Sequence, residues 1–192
     1  MESARAEPVR TCEEAAKGDG SWLVLASPET RSALEAAVHQ GIAVVRFDGC
    51  ELEVVHGCTG LGVYTDGPPS DEPRDITISD LHDLFRDAPV DAPSIASELE
   101  HGASLSVHLV PKGELVAKRP PAMLSGECAG ATHWVRELKQ GAFSAELRGG
   151  PDATTPKRTF ASKGDGSECE PGSESDACRT PWAVLVEPIH GN

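Results

Sequence analysis

The most regular pattern of apolar and polar positions lies in residues 41–58, GIAVVRFDGCELEVVHGC. Apolar residues recur on both sides of the dipeptide Asp48-Gly49, which is typical of the two-residue turn of a β-hairpin because both residues tolerate positive φ. The pattern therefore predicts a hairpin with one apolar face and one solvated face. We expect this hairpin to form part of the core of the protein.

A two-residue turn fixes which residues of the hairpin lie opposite each other. It places Val45 opposite Leu52 on the apolar face, and Arg46 opposite Glu51 on the solvated face, where an opposite-charge pair is favourable. Val44 also falls on the solvated face in this register. The sequence therefore predicts that a charge is tolerated at Val44 but not at Val45.

Other periodic segments predict further helices and strands around this hairpin. Ser27 followed by Pro28 is typical of a helix start, and Gly41 is typical of its end. Apolar residues at helical spacing predict a second helix that begins behind Thr77 or Ser79. The remaining predicted elements are a helix over 93–101, short strands at 22–25, 61–65 and 182–186, a hairpin of 105–109 with 114–118 around Lys112-Gly113, and a strand, turn and strand over 131–147.

Length and composition predict a single α+β domain with long loops. The chain has 192 residues, of which 39% are hydrophobic, enough for one core. Its 19 glycines and 15 prolines indicate long connections, which we place at 66–75 and 148–180. Residues 1–20 are predicted to be a disordered extension before a domain over 21–192. The predicted architecture is a mostly antiparallel, twisted sheet with two or three helices on one face.

Charge and hydropathy exclude some classes of partner. The formal net charge of −14 repels nucleic acid phosphates and anionic lipid surfaces. No apolar segment reaches the about 20 residues that a transmembrane helix needs. We therefore expect the partner to be a protein or a small-molecule ligand, without nucleic acid and without a transmembrane segment, and we predict no cofactor.

Six cysteines in a loop-rich chain predict disulfides, and therefore an oxidising compartment. Cys169 and Cys178 lie in one loop, and nothing in their spacing opposes a bond. A bond from Cys50 to Cys58 is at the outer limit of disulfide geometry, because the strand between them is extended. Three connectivities are open for the other four cysteines, and we expect Cys128 to bond either Cys50 or Cys58.

Two alternatives use the same cysteines for chemistry instead of cross-links. In the first, Cys128 is a nucleophile and His133 its base, which would make the protein a small cysteine-dependent hydrolase or transferase. In the second, Cys58, Cys128 and His133, with His56, bind zinc, although the C-x₂-C and H-x₃-H ligand pairs of zinc motifs are absent from the sequence. No G-x-S-x-G motif supports a serine nucleophile. Both alternatives need free thiols, whereas the disulfide interpretation needs bonded sulfur.

The segments at 41–58, 126–135 (GECAGATHWV) and 141–143 (GAF) resemble a group of uncharacterised extracytoplasmic, often lipoprotein-like, proteins from myxobacteria. The resemblance covers residues 22–147 and implies a location in the cell envelope, with no particular activity. Residues 1–19 lack the apolar segment of a signal peptide, so this location assumes that a signal segment is missing from the sequence; otherwise the protein is cytoplasmic. The predicted function is a secreted or envelope-facing binding or structural module stabilised by disulfides.

Overall fold

The computed structural model describes residue 12 and residues 20–25, 27–68, 72–149, 158–162, 169, 175 and 178–189. These residues form one α+β domain with a ten-stranded antiparallel sheet and three helices, which confirms the predicted fold class. Most of the predicted extension over 1–20 lies outside the described residues. The strands are β1 (Trp22–Leu23), β2 (Ile42–Phe47), β3 (Leu52–Gly60), β4 (Thr65–Asp66), β5 (Arg74–Ile78), β6 (Ser104–Val116), β7 (Leu124–Gly126), β8 (His133–Arg148), β9 (Arg158–Ala161) and β10 (Thr180–Pro188), and the helices are α1 (Pro28–Val38), α2 (Leu81–Asp87) and α3 (Ala92–Glu100).

Strand β8 is the centre of the sheet, because it has neighbouring strands on both sides along most of its length. On one side it pairs with β10 over residues 133–141 and with β9 over 144–147. On the other side it pairs with β2 at residues 133–134 and with β6 over 137–148. Farther out, β1 lies next to β10, β4 and β5 lie next to β6, and β3 followed by β7 lies next to β2.

The predicted hairpin is present as β2 and β3, but its turn is longer than predicted. Phe47 pairs with Leu52, so residues 48–51 form a four-residue turn and the predicted register is wrong by two residues. The cause is the Asp48 carboxylate, which accepts hydrogen bonds from the last two backbone N–H groups of the turn at 3.1 and 2.9 Å. The same bonds hold the pKa of Asp48 below its usual value.

A shift of two residues leaves each hairpin side chain on its predicted face, because side chains alternate along a strand. Val45 is fully buried in a cluster with Leu52, as predicted for the apolar face. Val44 is fully buried too, and its prediction as a solvated position is wrong. The second face of this part of the sheet is covered by a smaller cluster that contains Ile42 and Trp134, and Trp134 is the β8 partner of Val44.

Two segments that the sequence predicted as hairpins are each a single long strand. β6 continues through Lys112-Gly113, and β8 continues through Gly141. These glycines lie where the two strands pair across an irregularity between Pro111 and Gly113. A Cβ atom on Gly141 would lie 2.4 Å from the carbonyl oxygen of Val110, so this glycine allows two strands to approach closely and does not form a turn.

The helices lie close to their predicted positions, with one difference at the start of α2. α1 begins after Ser27, whose hydroxyl accepts a hydrogen bond at 3.2 Å from a backbone N–H of the first turn. α2 begins after Asp80, whose carboxylate accepts a hydrogen bond from the Asp83 N–H at 2.8 Å. The predicted caps at Thr77 and Ser79 are wrong, because β5 extends to the residue before Ser79.

The predicted loops contain strands. β5 begins at Arg74, inside the loop predicted over 66–75, and β9 lies inside the loop predicted over 148–180. β9 pairs with β8, and its Phe160 side chain packs against the core. Each of these short strands contains few apolar residues and lies within a polar segment. The pattern of apolar residues alone therefore does not predict them.

Two large apolar clusters form the core. α1 packs on the first cluster with β2, β3, the first half of β8 and the end of β10, and α2 and α3 pack on the second with β5, β6 and the second half of β8. Successive residues at the start of the domain belong alternately to the two clusters. Trp22 and Val24 belong to the first, whereas Leu23 and Leu25 belong to the second. The short strand β1 therefore contributes to both halves of the core.

Candidate functional site

All six cysteines form disulfides, which confirms that the chain is cross-linked. The pairs are Cys12–Cys50, Cys58–Cys128 and Cys169–Cys178, with Cα atoms 5.0, 4.8 and 5.5 Å apart. Of the two partners expected for Cys128, the structure joins it to Cys58. Cys50 lies in the turn before β3, near the opposite end of that strand from Cys58, and it bonds the N-terminal segment instead.

The Cys58–Cys128 disulfide anchors the segment that carries β7. Cys58 lies on β3, where it pairs with Gly126 of β7, and Cys128 follows two residues later. Gly126 has a φ of 95°, and a Cβ atom there would lie 1.9 Å from the carbonyl oxygen of Gly57. A covalent bond and a close backbone contact therefore hold β7 against β3.

His133 packs within the central sheet. The ring centroids of His133 and Phe47 lie 5.6 Å apart in an edge-to-face arrangement. The Nδ1 atom of His133 lies 2.8 Å from the hydroxyl oxygen of Thr132. Burial lowers the pKa of His133 from its usual value, because a charged ring loses solvation there.

The structure does not assemble either chemical site considered from the sequence. The Sγ atom of Cys128 is bonded to Cys58, so it offers no thiolate nucleophile for which His133 could act as base. For the same reason the two sulfur atoms are not thiolate ligands for zinc. His56 is exposed on β3. Within the described part of the chain, no group of three or more His, Cys, Asp or Glu side chains is placed to hold a metal ion.

A row of polar side chains crosses β5, β6 and β8 on a solvent-exposed side of the sheet. Asp75, His108 and Ser144 pair in register, and Asp75 Oδ1 lies 2.7 Å from His108 Nδ1. These are the residue types of a serine hydrolase triad. Among the described residues, however, no hydrogen bond joins His108 to Ser144, and the Asp75 side chain is 85% exposed. The row is therefore an exposed hydrogen-bonded Asp75–His108 pair beside a serine, without the second link of a triad.

A cleft of about 570 Å³ lies where the start of β8, the end of β10 and the segment before β7 meet. We name it the Trp134 cleft, because the buried indole of Trp134 forms part of its wall and packs with Ile42 and Ala117. Its lining is largely apolar and rich in proline. The lining residues are Pro120, Pro121, Leu124, Trp134, Glu187, Pro188 and Ile189.

A second cleft, of about 310 Å³, adjoins the first, since Pro120 lines both. We name it the Val63 cleft; its other lining residues include Ile42, Leu61, Lys118 and Arg119. Large apolar side chains are exposed in and beside the two clefts. They are Leu61, Val63 and Met123, at 63%, 77% and 63% of their full exposure. The two clefts and these three side chains together are the apolar surface.

Hydrogen bonds hold the apolar surface in place. The N–H of Leu61 donates to the carbonyl oxygen of Met123 at 2.8 Å, which extends the pairing of β3 with β7 by one residue. Tyr64 secures the same segment, because its hydroxyl bonds backbone groups of β2 and β8. A Cβ atom on Gly62 would lie 2.4 Å from the Ile42 Cδ1 atom, so the turn packs closely on β2. The apolar surface is therefore preformed.

Charge is distributed unevenly around the apolar surface. Glu187, in the wall of the Trp134 cleft, accepts a hydrogen bond from Arg136 at 2.6 Å, so its charge is compensated. Lys118 and Arg119 line the Val63 cleft, are exposed, and form no salt bridge within the described part of the chain. The Val63 cleft therefore carries two uncompensated positive charges in a chain with a net charge of −14.

Sequence reasoning did not find the apolar surface. It predicted a short strand over 61–65, whereas the structure places a turn there before β4, and it assigned no element to residues 119–123. Exposed apolar residues in a short segment give the same pattern as a buried strand, so hydropathy does not separate the two. The sequence does contain one indication that a strand ends before this surface. The basic pair Lys118-Arg119 is followed by Pro120-Pro121, and proline is unfavourable within a strand.

Comparison of the chain with protein-family models, with curated proteins and with solved structures finds no match. None of the helices in the described residues has the length and apolar character needed to cross a membrane. Function is therefore inferred from the disulfides and from the apolar surface.

Proposed function

We propose that this chain is a secreted or envelope-facing binding module, stabilised by disulfides, whose ligand-binding site is the apolar surface. Three disulfides support an oxidising, extracytoplasmic location, since such bonds persist where thiols are not kept reduced. Kinship with the myxobacterial envelope proteins is part of the same proposal and agrees with that location.

The exposure of Leu61, Val63 and Met123 beside two adjoining clefts is the observation that carries the proposal. Single exposed apolar side chains are ordinary, but several in one place mark interaction sites on soluble proteins. The clefts add a concave, largely apolar shape with an aromatic wall, as in ligand-binding sites. Because the surface is preformed, a ligand need not order it on binding, which favours affinity.

The proposal is tested with a neutral apolar dye, N-phenyl-1-naphthylamine, whose fluorescence rises in an apolar environment. We expect saturable binding of one dye molecule to the native, non-reduced protein. Val63→Asp and Met123→Asp each introduce a charge at an exposed position, so they should weaken dye binding at least about tenfold without unfolding the domain.

Thr159→Asp is the matched control, because it introduces the same charge at an exposed position on β9, which lines neither cleft. This variant should bind the dye as the wild-type protein does. Absence of saturable dye binding, or equal binding by all four proteins, would show that the apolar surface is not a binding site.

The proposed location has its own test. Protein isolated from its native cells under thiol-blocking conditions should show no alkylated cysteine before reduction and six alkylated cysteines after it. Six cysteines alkylated before reduction would place the protein in a reducing compartment and contradict the extracytoplasmic part of the proposal.

A further inference from the structure

We infer that the ligand of the apolar surface is a linear aliphatic molecule with an anionic end group, such as a long-chain carboxylate, and that Lys118 and Arg119 receive the anion. This inference rests on the proposed function and adds the chemical class of the ligand. The site has two parts with different chemistry. The Trp134 cleft is largely apolar and the charge of its Glu187 is compensated by Arg136, whereas the adjoining Val63 cleft carries two positive charges that have no such partner in the described part of the chain.

The positive charges are distinctive because most other basic side chains of the described residues are already engaged. Five arginines form ion pairs with carboxylates, and Arg31 is buried with its guanidinium on backbone carbonyls. Lys118 and Arg119 are adjacent, exposed and without a carboxylate partner in the described part of the chain. An anion held there would gain charge-assisted hydrogen bonds without displacing an existing pair.

The lining of the Trp134 cleft favours an aliphatic chain over an extended peptide. A bound peptide needs partners for its backbone N–H and C=O groups, which binding sites usually supply from a strand edge. Three of the seven lining residues are prolines, which have no backbone N–H to offer. An aliphatic chain has no such groups to satisfy, so its burial against proline, leucine and tryptophan side chains carries no desolvation penalty for polar atoms.

The connection between the clefts fixes how one molecule would occupy both. Pro120 lines each cleft and directly follows Arg119, so the positive charges lie at the junction. The aliphatic chain lies along the Trp134 cleft, and its anionic end turns towards Lys118 and Arg119. A free single-chain ligand fits this arrangement better than a membrane surface does, because the net charge of −14 repels anionic bilayers.

The test compares three ligands that share one aliphatic chain: dodecanoate, dodecanol and dodecyltrimethylammonium, each used below the concentration at which it forms micelles or separates from water. Their affinities are measured by displacement of N-phenyl-1-naphthylamine from the native protein. We expect dodecanoate to bind about tenfold more tightly than dodecanol, and dodecyltrimethylammonium to bind most weakly. The advantage of dodecanoate should shrink at high salt, because exposed charges are screened.

The double variant Lys118→Gln, Arg119→Gln should bind dodecanoate no better than dodecanol and leave dodecanol affinity unchanged. The control double variant Arg46→Gln, Arg148→Gln removes the same net charge at exposed positions that line neither cleft. It should retain the preference for dodecanoate.

Equal affinity for dodecanoate and dodecanol in the wild-type protein, or an equal loss in both double variants, would overturn the inference and leave the proposed binding function standing. The same holds if an apolar hexapeptide that ends in aspartate displaces the dye and dodecanoate does not, since the ligand would then be a peptide. If neither the dye nor any of the ligands binds, both the inference and the proposed function fail.

Discussion

The hydroxyl of Tyr64 donates a hydrogen bond of 2.7 Å to the carbonyl oxygen of Val135. The phenolic oxygen of Tyr64 also accepts a hydrogen bond of 3.2 Å from the N–H of Ala43, so one side chain joins the turn after β3 to both β8 and β2. Tyr64→Phe should therefore lower the free energy of unfolding by about 1–3 kcal/mol, because two backbone groups lose their partner. Urea unfolding measures this difference. Thr65→Val, which removes an exposed hydroxyl bonded at 3.2 Å, should cost less; an equal cost would contradict this role of Tyr64.

Tyr64 should also make the protein sensitive to alkaline pH. Burial raises the pKa of Tyr64 above its ordinary value of 10.0, so the folded state keeps the phenol protonated where the unfolded chain would ionise it. The stability that Tyr64 provides is thus present below pH 10.0 and is lost as the pH rises above that value. Tyr64 is the sole tyrosine of the chain, so phenolate absorbance should appear together with unfolding. Ionisation at pH 10 with the fold intact would contradict its burial.

Both faces of β2 are buried, so Val44→Asp and Val45→Asp should both be severely destabilising. The sequence pattern alone predicts instead that only Val45→Asp is. Each substitution places an unpaired carboxylate at a fully buried position, which should cost several kcal/mol. His56→Asp introduces the same residue at an exposed position of β3 and should change stability by less than about 0.5 kcal/mol. Thermal melting of the three variants compares them. A Val44→Asp protein as stable as His56→Asp would contradict the burial of that face.

Strands β6 and β8 approach each other closely at Gly141 but leave space at Gly113, so substitution by alanine should have opposite effects at these two glycines. Gly141→Ala should cost about 1–3 kcal/mol, because its Cβ would lie 2.4 Å from the Val110 carbonyl oxygen and the strands would have to separate. At Gly113 the nearest heavy atom to an added Cβ is 4.0 Å away, so Gly113→Ala should be neutral or slightly stabilising. Denaturant unfolding of both variants measures the contrast, and equal effects would mean that the strands do not approach as described.

The disulfides should differ in how they affect the apolar surface. Replacement of Cys58 and Cys128 by alanine opens a link between residues 70 positions apart and should cost about 4 kcal/mol in the loop-closure model. It should also weaken binding of N-phenyl-1-naphthylamine, because this bond anchors β7, and Leu124 of β7 lines the Trp134 cleft. Replacement of Cys169 and Cys178 should lower stability and leave dye affinity unchanged. Equal dye affinity in both double variants would show that the first disulfide does not support the site.

Local patterns predicted the elements whose residues decide their own structure. The helix after Ser27 has its cap and its buried stripe within one segment, so the sequence contains the information that forms it. The faces of the β2–β3 hairpin followed from alternation, whereas its register depended on the Asp48 side chain, which replaced the expected two-residue turn with a wider one.

Long-range contacts account for what the sequence did not predict. Whether Gly141 forms a turn or a close strand contact depends on Val110, which lies on another strand. Val44 is fully buried and pairs with Trp134 of β8, which lies outside its own hairpin. The apolar surface was missed for a related reason. Leu61 and Val63 are exposed because of the path that the chain takes after β3, and an apolar residue in a sequence does not by itself show whether it is buried or exposed.

The position of β10 between β1 and β8 has a consequence for how the chain folds during its synthesis. Trp22 pairs with Val184, so the first strand has no partner until the last strand has left the ribosome. Contacts between such distant segments form late, because the whole intervening chain must first be brought together. A nascent chain that stops before residue 180 would leave the backbone hydrogen-bonding edge of β1 without its partner, so this end of the sheet is completed only when residues 180–188 are available.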